Sequence, residues 1–190
     1  MKRMKTILIL LAFFTMVQAP VLPTDDVKKR TDALLLEMLR EKQEREYNQE
    51  FQRYADYLGF KESTNNPLAI NTQGCFGEHQ WQQATLQYLG YKVTLKAFRR
   101  DSTVFPRKMQ LEALKSLTTV NTILLKPYEE FIGKEIKGVI ITKSGLLAAC
   151  HLGGITTVRM YLLSNGAIDK HDVYGTRISQ YIKEFSGFSI

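Results

Sequence analysis

Residues 60–90, FKESTNNPLAINTQGCFGEHQWQQATLQYLG, read as a catalytic loop held between two helices. The stretch starts where an amphipathic run ends and sets Glu62 beside Ser63. It then turns through Asn65, Asn66 and Pro67, whose side chains and fixed φ favour turns. A second turn bounded by glycines, Gly74-Cys75-Phe76-Gly77, leads into Glu78-His79-Gln80-Trp81 and a new helical run through Leu86 and Leu89. Glu62 therefore falls at a helix end facing the loop, and two helix ends enclosing one acid make a cleft.

Downstream, apolar residues recur at helical spacing. Met109, Leu111, Leu114 and Leu117 form one face that continues to Leu124-Leu125 and stops at Pro127. Val93–Phe98 reads as helix or a short extended piece, and Phe131–Val139, with Gly133 and Gly138, as mixed structure. Ile140–Leu152 is strongly apolar and predicts the buried helix of the domain, ending at Gly153-Gly154. Thr156–Leu163 predicts a further helix stopped by Ser164-Asn165-Gly166, and Ile178–Phe185 the last one. Upstream, Asp25 and Asp26 mark a helix start, with Leu34, Leu35, Met38 and Leu39 at helical spacing. The run from Glu41 to Glu50 is nearly all charged or amide, after which Phe51, Tyr54, Ala55 and Leu58 restore an apolar face. Two readings fit: a leader helix over Val27–Gln43 followed by a first domain helix over Asn48–Phe60, or one continuous helix. Few runs alternate in the strand manner, so the class is mainly α.

The first 19 residues carry Lys2, Arg3 and Lys5, an apolar run from Ile7 to Phe14, and Val17 and Ala19 before Pro20. That order predicts a secretory signal over residues 1–19, with a leader over 20–47 and the catalytic domain over 48–190. An uncleaved membrane anchor is the alternative, although the run is shorter than the roughly 20 residues a span needs; no integral span is expected in the mature chain. Removing those three cations, with no acid among them, lowers the formal charge from +7 to +4. The remaining cations are interleaved with acids, as in EKQEREYNQEFQR from Glu41 to Arg53. No basic stripe or zinc-finger spacing suggests nucleic acid as partner. His79, His151 and His171 lack the spacing of a zinc site, and no cofactor is expected.

The ordered set Glu62-Ser63, Asn66-Pro67 and Gly74-Cys75-x-Gly77-x-x-Gln80 resembles the lytic transglycosylase and goose-type lysozyme superfamily. Members show Glu-Ser, Asn-Pro and Gly-Ala-x-Gly-Leu-Met-Gln in that order. A third family element, Ala-Tyr-Asn-x-Gly, is echoed by Ala149-Cys150-His151-Leu152-Gly153, and a late helical tyrosine by Tyr181. Cys75, Glu78-His79 and Cys150-His151 depart from the family pattern. The resemblance implies a lysozyme-like domain, exported to the periplasm or beyond, that cleaves the MurNAc–GlcNAc β-1,4 bond of peptidoglycan glycan strands. It implies a 1,6-anhydromuramyl product end.

Such cleavage needs a proton delivered to the leaving oxygen by a carboxylic acid in a poorly hydrated setting. Glu62 is that acid, with Phe60, Phe76, Trp81 and Tyr181 as the expected apolar wall. A hydrolase normally holds a second carboxylate about 5–9.5 Å from the first. None occurs between Glu62 and Glu78, which favours a one-carboxylate transglycosylase. Glu78 or Asp172 brought in by folding would instead support hydrolysis by a muramidase. Substrate-binding candidates are Ser63, Gln80, His151 and Tyr181. By the resemblance, Cys75 and Cys150 both border the cleft, which leaves a disulfide or two free thiols open. Two rivals remain: a cysteine peptidase using Cys150, and a non-catalytic peptidoglycan-binding protein.

Overall fold

The computed structural model describes residues 25–190; the secretory segment read at residues 1–19 lies outside the described residues. The chain divides into two units, residues 1–42 and 43–190. The described part of the first unit, residues 25–42, belongs to helix α1 (Asp25–Ser63). Its side chains are exposed, Leu34, Leu35, Met38 and Leu39 among them. Asp25 and Asp26 occupy its first turn, where the exposed amides and the helix dipole favour carboxylates. No break separates a leader from a first domain helix. The Glu, Lys, Gln and Arg residues between Glu41 and Glu50 are good helix formers and carry one helix through to Ser63.

The second unit is mainly helical. Over its own length α1 buries Phe51, Tyr54, Ala55 and Leu58, spaced by three and four residues as one face of a helix requires. It ends where Thr64 and Asn65 adopt left-handed φ of 56° and 58°, with the Asn65 amide donating to the Gly59 carbonyl at 3.0 Å. Short helices α2 (Gln83–Tyr88) and α3 (Leu95–Arg100) follow, the second capped by Thr94 Oγ1, which accepts from the Ala97 amide. Helix α4 (Arg107–Leu125) starts after Pro106 and runs into a 3₁₀ turn, Lys126–Phe131. Strands β1 (Glu135–Ile136) and β2 (Val139–Ile140) form an antiparallel hairpin, so Ile140 belongs to a strand and the apolar helix after it starts at Lys143.

Helix α5 (Lys143–Leu163) is kinked at Gly154, whose φ of 74° and ψ of 163° are non-helical. The two helical runs expected on either side of Gly153-Gly154 are its two halves. By length and composition α5 also suits a membrane span, yet Leu146, Leu147, Ala149, Val158, Tyr161 and Leu162 are all buried inside the unit. Helix α6 (Ile178–Glu184) lies against α5 so closely that a Cβ at Gly145 would collide with the Ile182 carbonyl. Tyr54, Tyr57 and Tyr181 all pack on the ring of Phe185, at centroid distances of 5.5, 5.0 and 5.2 Å. These contacts tie α6 to the end of α1. Each such ring contributes about 0.5–1.5 kcal/mol beyond its buried area.

Candidate active site

Glu62 lies in the last turn of α1. Tyr181, three residues into α6, donates its hydroxyl proton to Glu62 Oε1 at 2.7 Å. The two residues are 119 positions apart, and the rings gathered on Phe185, with the Lys61–Glu184 ion pair (2.9 Å), bring the end of α1 and α6 together. Tyr181 is 4% exposed. Burial, and then the neighbouring Glu62 charge, hold its hydroxyl far above the usual phenol pKa, so it remains a proton donor throughout the accessible pH range. Glu62 makes no other hydrogen bond or ion pair among the described residues, which leaves Oε2 free of protein partners.

The loop after Glu62 is built by its own amides and by one buried glutamine. Ser63 Oγ donates to the Glu78 carbonyl (2.6 Å) and accepts from the Asn66 amide (3.0 Å), fastening the helix end to the second turn. Phe76 and Trp81 exchange backbone hydrogen bonds of 3.0 and 2.7 Å, and Gly77 donates to the Ala69 carbonyl. Gln110, 1% exposed on α4, accepts from the Glu78 amide and donates to the carbonyls of Pro67 and Phe105. Gly77 has φ of 81°, and a Cβ there would sit 2.6 Å from Gln110 Oε1, so the close approach needs glycine on both counts. On the far side of this loop the buried Glu78 carboxylate receives Arg107 Nε (2.6 Å) and Nη2 (2.8 Å), and Arg107 Nη2 also reaches Asp56 (3.3 Å).

Glu62 opens onto a groove of about 890 Å³ lined also by Gln80, Trp81, His151, Asp172 and Tyr181. Gln80 is held in a left-handed conformation (φ 51°) and donates to the Gly77 carbonyl at 2.9 Å. His151 Nε2 donates to the His79 carbonyl (2.8 Å), and the His151 ring meets Trp81 edge-on at 5.7 Å. His79 in turn donates from Nε2 to the Ala55 carbonyl, and burial, then the neighbouring His151, lower its pKa to about 4. Its Nδ1 is buried without a partner. At the rim, the Tyr174 hydroxyl lies 3.2 Å from Thr72 Oγ1, joining two tight turns. Each turn is ordered by one side-chain oxygen that accepts two amides: Asn71 Oδ1 from Gln73 and Cys75, and Asp172 Oδ1 from Tyr174 and Thr176.

Of the site residues expected from the sequence, Glu62, Gln80, His151 and Tyr181 share the groove. Ser63 does not line it, because its hydroxyl is engaged by the backbone of the loop. Two members of the expected apolar wall are elsewhere: Phe60 is 55% exposed, and Phe76 is in the core against Phe98 and Phe105. The other two members of that wall, Trp81 and Tyr181, line the groove with Glu62. Glu78 faces a separate cavity of about 230 Å³ beside Arg107, so Asp172 is the other carboxylate of the groove.

Cys75 and Cys150 both line the groove as free thiols, not as a disulfide. Burial raises both thiols, Cys150 to about 12, the opposite of the lowered pKa that marks a nucleophilic cysteine. Among the described residues no cluster of three His, Cys, Asp or Glu side chains is arranged to hold a metal ion.

Sequence reasoning missed Gln110 and Arg107. For Gln110 a signal exists, since it opens the buried stripe Gln110, Ala113, Leu114, Thr118, Asn121 and Leu125 of α4. A buried amide on an apolar face must find partners, and here they are loop backbone. Nothing local in the sequence marks the Arg107–Glu78 pair. Compared with known protein families, curated proteins and solved structures, the chain has no match.

Proposed function

We propose that this chain is an exported peptidoglycan lytic transglycosylase with Glu62 as its single catalytic carboxyl. The observation that carries the reading is the Tyr181–Glu62 hydrogen bond of 2.7 Å at the wall of a large groove. A carboxyl oriented by a buried phenol, with one oxygen free, is suited to hand a proton to a glycosidic oxygen lying in that groove. The ordered resemblance of residues 62–80, 149–153 and 181 to the lytic transglycosylase superfamily supports the same assignment.

In this mechanism Glu62 protonates the bridging oxygen and the bond from that oxygen to the sugar C1 breaks. The substrate's own acetamido oxygen stabilises the cation developing at C1. The C6 hydroxyl then closes onto C1 and its proton returns to the Glu62 carboxylate, so no water is consumed. Glu78 is paired with Arg107 outside the groove, which favours this one-carboxylate route.

Asp172 favours one second reading, hydrolysis by a muramidase of the same site, because it lines the groove. Its Oδ1 is occupied by two amides of its own turn, a structural role. Mass analysis of fragments released from purified cell wall separates the two readings. Transglycosylation gives 1,6-anhydro ends, lighter by one water than the reducing ends that hydrolysis gives. A digest containing reducing ends alone would replace the first reading by the second.

A further inference from the structure

Every residue of α1 from 25 to 40 is exposed. Within that stretch Val27, Thr31, Leu34, Leu35 and Met38 are spaced by three and four residues, so they share one face of the helix. Thr31 puts no open polar group there, because its hydroxyl donates to the Val27 carbonyl of its own helix at 2.9 Å. A contiguous apolar face left in water marks an interaction surface.

The charges beside this face select what meets it. Between residues 25 and 40 four acids balance four cations, whereas a helix that lies on an anionic lipid surface carries an excess of cations. The balance suits a second copy of the same helix. When two copies run antiparallel with Val27 against Met38 and Thr31 against Leu34, the twofold axis repeats both pairs and four layers stack. In that register Arg30 of each copy lies between the same two layers as Glu37 of the other, so opposite charges meet twice along one flank. On the opposite flank the stem of Lys28 covers Leu35.

A parallel pair is matched less well. It brings Glu37 to Lys42, but it carries the seam on into Glu41 and Arg45, each set against its own like charge. The antiparallel overlap ends before either residue.

We infer that residues 27–38 of α1 bind a second copy of this chain, antiparallel, through Val27, Thr31, Leu34 and Met38, with Arg30 paired to Glu37. None of these residues lines the groove, so the inference stands apart from what the groove cleaves.

The test is sedimentation velocity over a rising concentration of the full chain, with its N-terminal segment processed as the cell leaves it. Wild type is compared with Leu34→Gln/Met38→Gln, with Arg30→Glu, with Glu37→Arg and with the double reversal Arg30→Glu/Glu37→Arg. Glutamine is a good helix former, and circular dichroism checks that each variant keeps its helix. Wild type should dimerise reversibly, and the paired glutamine variant should stay monomeric. Each single reversal sets like charges opposite one another twice and should weaken association about tenfold. The double reversal should restore it. Residues seven apart on one helix do not pair as residues three or four apart do, so that recovery reports the second copy.

A wild type that stays monomeric up to about 1 mM, or a dimer that survives the paired glutamines, overturns the inference. Single reversals without effect, or recovery by Glu37→Lys/Lys42→Glu in place of the first double reversal, overturn the antiparallel register. A monomer captured by vesicles of phosphatidylglycerol and phosphatidylethanolamine, and released by the paired glutamines, gives the face to lipid and overturns the inference as well.

Discussion

At the scale of single residues, Tyr181 donates to Glu62, and the buried His79 fastens the turn behind it to the Ala55 carbonyl of α1. Tyr181→Phe deletes only the hydroxyl that donates to Glu62, while the ring keeps its place against Phe185. We expect kcat on cell wall to drop about tenfold or more, as loss of one hydrogen bond to a charged group implies, with the thermal transition unmoved within ~1 kcal/mol. Steady-state kinetics beside calorimetry checks both halves.

His79 makes a separate prediction. Its folded pKa, near 4, lies below the ordinary value near 6.5, because burial first and the adjacent His151 second oppose the charge; Arg107 opposes it too, while Glu78 favours it. The unfolded chain therefore takes up a proton that the folded chain refuses. The stability this neutral ring confers is fully present above about pH 6.5 and is lost as the pH falls from there toward 4. Urea unfolding at about pH 7 and 5 should show a loss of about 2 kcal/mol that His79→Asn largely abolishes. Equal losses in both proteins would show that other groups set the acid limit.

At the scale of elements, what could be read from sequence followed periodicity. The stripes on α4 and α5, the stop at Pro127, and the division of α5 at Gly153-Gly154 all show in the spacing of apolar residues and glycines. The continuity of α1 was left open by that spacing, because a solvated helix and a solvated linker share one composition; helix propensity decided between them.

The support of the loop was not legible, since it depends on which distant side chain lies beneath it. Gln110 is the clearest instance: three backbone groups of residues 67–105 converge on one amide of α4. Gln110→Leu would leave the Glu78 amide and the Pro67 and Phe105 carbonyls without partners. It should cost about 3 kcal/mol in chemical denaturation with an unchanged slope, and it should lower activity through displacement of Gln80. A variant as stable as wild type would show that the loop holds itself.

At the scale of the whole molecule, the groove is assembled from the end of α1, the loop that follows it, α4, α5, the Asp172 turn and α6. The order of residues 62–80 was enough to single out Glu62 and Gln80, and the late helix enough to suggest Tyr181. The absence of a disulfide and the turning of Glu78 toward Arg107 were not readable, because both depend on which face of the Gly74–Trp81 turn each side chain takes. The division of the chain at Lys42 leaves the exposed leucines of residues 34–39 outside the unit that holds Glu62.

The central claim is that one carboxyl drives cleavage of a glycan. It is tested most directly by the rate at which purified cell wall is solubilised by wild-type protein and by Glu62→Gln, with circular dichroism showing that both are folded. The account predicts measurable turnover by the first and a loss of at least about a hundredfold in the second. Solubilisation by Glu62→Gln at the wild-type rate would contradict it.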